Sequence, residues 1–100
     1  MASHRWPHTY PQERVHVHNQ QLRIKVKFHC CRVGIDPFQI AYYYSFGLEL
    51  DRHIRTYGGG ELSYRIAERL VSKWTEFGLR PDLLRVLVYQ LTNVRLAGVV

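Results

Sequence analysis

Two cysteines in one hundred residues, adjacent at Cys30 and Cys31, leave this chain without a disulfide framework. Neighbours on an extended segment point to opposite sides, so the pair is not expected to bridge, and a reducing, cytoplasmic location is the expectation. No apolar run approaches the roughly 20 residues a membrane span needs, and Met1–Tyr10 lacks the apolar core of a signal peptide. No membrane partner is therefore expected. The serines sit in no Gly-x-Ser-x-Gly setting, so no nucleophile stands out. Gly58, Gly59 and Gly60 lead into Glu61 and Leu62 rather than a lysine and a hydroxyl residue. A carboxylate there repels phosphate, and the triple glycine reads as a turn.

Acid is scarce where base is plentiful. Residues 1–33 hold six lysines and arginines against Glu13 alone, a balance of +5, while the rest of the chain holds eight basic and seven acidic groups. Nearly all of the net charge of +6 thus lies in the first third. Such asymmetry suits a polyanionic partner, RNA or DNA, met through backbone phosphates.

Alternating hydrophobicity is the strongest pattern present. Phe38, Ile40, Tyr42, Tyr44, Phe46, Leu48, Leu50 and Ile54 occupy even positions, interrupted only by Arg52. Leu22, Ile24, Val26, Phe28 and Cys30 do the same, with Arg23, Lys25, Lys27 and His29 between them. A period of two is that of a half-buried strand. On this reading Val15 to Cys30 forms a hairpin turning near Gln20 and Gln21. Phe38 to Ile54 folds back through Ser45, Phe46 and Gly47, which sends Phe46 off the strand and Tyr43 outward, opposite Glu49.

One helix is expected over Glu61–Phe77, with Leu62, Ile66, Ala67, Leu70, Val71, Trp74 and Phe77 on a stripe and Gly78 and Pro81 ending it. Leu83–Leu91 is apolar almost throughout and reads as a strand covered on both faces, with a short helix starting at Pro81 as the alternative. Thr92 and Asn93 then turn the chain into a last strand, Val94–Val100. The expected fold is α+β, in ββββαβ order: an antiparallel β-sheet with one long amphipathic helix packed on one face. Met1–Gln12 is expected to be a flexible arm and residues 13–100 a single domain. A helix covers one sheet face only, so a second copy of the chain is expected on the other, making a homo-oligomer.

The chemistry that follows is binding. His16, His18, His29 and Cys31 are the candidate metal set, but cations beside them argue for solvated histidines. Glu49, Asp51 and His53 share one strand face at about 7 Å spacing, too wide for direct acid–base cooperation. The expected site is a cationic strip of Arg14, His16, His18, Arg23, Lys25 and Lys27, with no catalytic residue, metal or cofactor. A small basic nucleic-acid-binding protein is the first expectation, and a homo-oligomeric assembly or protein-interaction module without catalytic activity is the alternative.

Overall fold

The computed structural model of the protein describes residues 6–58 and 60–98, with side chains described from Arg14 onward. Four helices follow one another: α1 (Trp6–Arg32), α2 (Pro37–Tyr57), α3 (Gly60–Glu76) and α4 (Pro81–Thr92). No strand occurs among the described residues. The antiparallel sheet and the ββββαβ order are therefore wrong, and the protein is a helical bundle.

The boundaries have clear local causes. After α1 the Ile35 N–H donates to the Cys30 carbonyl at 3.0 Å and the Gly34 N–H to that of Cys31 at 3.2 Å, with Gly34 left-handed at φ 77°. This pair of bonds closes the free carbonyls of a helix end and needs a residue that tolerates positive φ. Asp36 then caps α2, its carboxylate accepting from the Phe38 N–H at 2.8 Å, and Pro37 supplies a first turn that needs no donor. The same punctuation closes α3, where Gly78 (φ 98°) donates to Thr75 and Leu79 to Trp74, before Pro81 opens α4.

The alternating runs fit helices because a step of four residues turns an α-helix by a net ~40°, so even positions separate into two four-step ladders on nearly opposite faces. In α1, Leu22, Val26 and Cys30 form the inward ladder and are buried, whereas Ile24 and Phe28 face outward. In α2, Phe46 and Leu50 are fully buried with Tyr43 and Gly47, and Ile40, Tyr44 and Leu48 pack around them. This helix touches all three others, so both of its ladders meet protein and only Phe38 and Tyr42 of the even set stay exposed. Ser45, Phe46 and Gly47 are thus mid-helix rather than a hairpin loop, and Tyr43 is core, not surface.

The expected Glu61–Phe77 helix is α3, although Leu62 and Phe77, at the edges of its stripe, are exposed. Leu83–Leu91 lies in α4, the alternative that begins at Pro81, and buries Leu83, Leu84, Leu87 and Val88. Residues 94–98 are not a strand; Leu96 inserts into the core and residues 99–100 lie outside the described set. The arm expected over residues 1–12 falls partly on residues 1–5, also outside it, and from Trp6 the backbone belongs to α1.

The core fills the space between α2 and α4, which touch each other and both outer helices; among the described residues α1 and α3 do not meet. The doubly covered strand that called for a second copy is α4, covered from within the same chain.

Candidate interaction surface on α1

The expected cationic residues all lie on α1, and their arrangement differs from a strip on one strand face. Successive residues rotate by about 100°, which sends Arg14, His18, Lys25 and Arg32 to one flank and His16, Arg23 and Lys27 to the other. Lys25 and Lys27 are exposed. Arg23 leans toward α2, its guanidinium 5.5 Å from the centre of the Tyr44 ring. His18 turns inward, its Nε2 3.0 Å from an Asp51 carboxylate oxygen that ties α1 to α2. The six predicted residues are therefore not brought together as one patch.

Between the two flanks runs an apolar stripe. Val17, Ile24 and Phe28 are 53%, 67% and 58% exposed, and Cys31 is exposed beside them. With Gln21 they recur at steps of four, three, four and three, the spacing of a coiled-coil seam. This seam lies on the side of α1 opposite Leu22, Val26 and Cys30, so the helix has two apolar faces and the fold uses one. Reading the even positions as a single core face concealed it; the four-three spacing was the available signal. The Arg32 guanidinium sits 5.7 Å from the Phe28 ring centre, keeping a cation at the edge of the seam.

The other polar groups hold the bundle together. Glu49, expected on a solvated strand face, turns to α3 and accepts from Lys73 Nζ at 2.8 and 3.0 Å and from Trp74 Nε1 at 2.7 Å. Burial pushes this carboxyl up, but the bonds from Lys73 and Trp74 outweigh it and hold Glu49 below the ordinary range. Asp51 also meets Arg55 at 3.2 Å, and His53 stacks on Tyr57. Glu49 and Asp51 therefore brace α2 against α3 and α1, while the contacts of His53, with Tyr57 and with Glu49 at 4.0 Å, stay within α2.

Two features could have carried chemistry. A cleft of about 360 Å³ between α1 and α4 is lined by His29, Arg32, Val33, Asp82, Leu83, Val86 and Gly98. Burial and the neighbouring Arg32 lower the pKa of His29, while Asp82 is paired with Arg80 at 2.6 Å. The second is Cys30, whose thiol burial and the adjacent Cys31 push up to about 11. A buried, protonated thiol is a poor nucleophile. Among the described residues no three His, Cys, Asp or Glu side chains are grouped to hold a metal ion, and no helix is long and apolar enough to cross a membrane.

The chain matches no protein-family model, no curated protein and no solved structure.

Proposed function

We propose that the protein is a non-catalytic interaction module that presents the outward face of α1 to a macromolecular partner. One observation supports this most directly: Val17, Ile24 and Phe28 stand exposed on a seam opposite the helix's packed side, interrupted only by Gln21. Single exposed apolar residues are ordinary, but a row with coiled-coil spacing on a helix that already buries its other face is an unfilled contact surface. The helix is held in place to present it, by the His18–Asp51 bond and by the turn at Gly34 and Asp36.

A second reading rests on charge alone. From Arg14 to Ile35 the chain has no acidic residue, which favours RNA or DNA bound through phosphates by Arg14, His16, Arg23, Lys25 and Lys27, with the ring of His18 already committed to Asp51. A seam of bare aliphatic and aromatic side chains between the cations adds nothing to phosphate contact, so this reading ranks behind the first.

Photocrosslinking in a cell extract separates them. A photoreactive residue at position 24 of the full chain should capture a protease-sensitive partner, and Phe28→Ser in the same chain should abolish the capture. A probe at exposed Ser72 on α3 serves as the background. Nuclease-sensitive adducts would favour the second reading, and capture no greater than at position 72 would overturn the first.

A further inference from the structure

We infer that the occupant of this face is an amphipathic helix with acidic flanks, supplied by a different protein; the inference rests on the interaction reading above and names the chemistry of the partner. From Val17 to Cys31 the seam runs about 21 Å, two heptads of a helix–helix contact. Its apolar positions are Val17, Ile24, Phe28 and Cys31, with one polar interruption at Gln21. In a coiled coil the residues beside the seam choose the partner, and here they are His18, Gln20, Lys25 and Lys27, with Arg32 at the end. His18 is taken by Asp51 and Gln20 is neutral, but the last three are cationic, and residues 14–35 contain no acid to offset them.

That charge pattern decides among occupants. A second copy of the chain would set cation against cation, Lys27 against Arg32 in a parallel pair and lysine against lysine in an antiparallel one, which is how helices are prevented from pairing with themselves. A bilayer surface asks for an apolar arc of 100° or more, whereas at 100° per residue Val17, Ile24, Phe28 and Cys31 fall within an arc of only about 60°, with Gln21 at its edge. A helix whose own seam is apolar and whose flanks carry glutamate or aspartate fits both features. Phe28 and Ile24 would fill the holes of that helix, and Lys25 and Lys27 would set its register and identity.

A set of synthetic helices tests this on the full-length protein. The probe is a peptide of about three heptads with Leu at the seam positions and Glu beside them. One control carries Lys in place of Glu, and another keeps Glu but carries Ser in the seam. The Glu–Leu peptide should bind one to one, at least about tenfold tighter than the Lys–Leu peptide, and more weakly as salt is raised. Lys25→Glu with Lys27→Glu should reverse that preference, and Ile24→Ser with Phe28→Ser should abolish binding while leaving the helical signal intact. Equal binding of the Glu–Leu and Lys–Leu peptides would overturn the acidic partner and leave the interaction surface standing. Equal binding of the Glu peptide with a serine seam would overturn both, because the face would then read charge alone. If neither peptide binds, the inference falls, and sedimentation showing a dimer broken by Ile24→Ser would assign the face to a second copy.

Discussion

The Tyr43 hydroxyl accepts a hydrogen bond from the backbone N–H of Arg80 at 2.8 Å, joining α2 to the residue that precedes α4. Arg80 is the residue that caps α4, yet its side chain bonds Asp82 and makes no cap bond. The phenol, 1% exposed, thus fixes the start of α4 from the neighbouring helix. Tyr43→Phe keeps the ring and removes the acceptor, and should lower unfolding free energy by about 1–2 kcal/mol. Tyr43→Ala also opens a cavity, and should cost about 3–5 kcal/mol. Urea denaturation followed by circular dichroism measures both.

Acid should weaken the link between α2 and α3. Glu49 titrates lower in the folded protein than its ordinary value of 4.5, so its contribution is fully present above that value and is lost as pH falls through the lower, folded pKa. Glu49→Gln should be less stable at neutral pH by about 1–2 kcal/mol, and the gap should close in acid. A gap that persists unchanged at low pH would show that Lys73 and Trp74 do not select the charged carboxylate.

Gly47 marks a tight passage between α1, α2 and α4. A Cβ added there would lie 3.1 Å from Leu22 Cδ2, 3.3 Å from Leu91 Cδ1 and 3.4 Å from Val26 Cγ2. Gly47→Ala gains up to about 1 kcal/mol of helix propensity and crowds methyl groups that can give slightly, so its net effect should stay within about 1 kcal/mol of zero. Gly47→Leu has no room and should cost about 3 kcal/mol or more. Thermal melts of the two variants side by side test the contrast.

The adjacent cysteines should behave as different residues. Cys31 is exposed and Cys30 is fully buried with its thiol pushed up to about 11. Alkylation of the native protein at neutral pH, read by mass, should add one group at Cys31, and a second only after unfolding. Equal modification of both without denaturant would place Cys30 near the surface.

Stability should also distinguish the two apolar faces of α1. Ile24→Ser and Phe28→Ser remove side chains that touch little of the core, and each should change the melting free energy by less than about 0.5 kcal/mol. Val26→Ala, two residues from either, should cost about 2 kcal/mol.

How much of this was legible in the sequence varies by element. The helix α3 was readable because Ala67, Leu70 and Val71 meet the core while Arg65, Arg69 and Ser72 face water, so one period fits. Gly78 with Pro81 gave its end. For α1 and α2, apolar residues at every even position fit a strand as well as two helical ladders, and burial alone separates Leu22 and Val26 from Ile24 and Phe28. Tertiary position decided the matter: α2 is surrounded, and α1 keeps an exposed outer row. The basic character of α1 was plain from composition, but its division into two flanks depends on a 100° step that a pleated reading does not contain.

Because α1 and α3 share no contact among the described residues, each is anchored separately to the α2–α4 pair. Clamping the outside of α1 would slow amide exchange along that helix and in the two it rests on, and would reach α3 only through them. The molecule is thus laid out as a hub with two blades that communicate only through it.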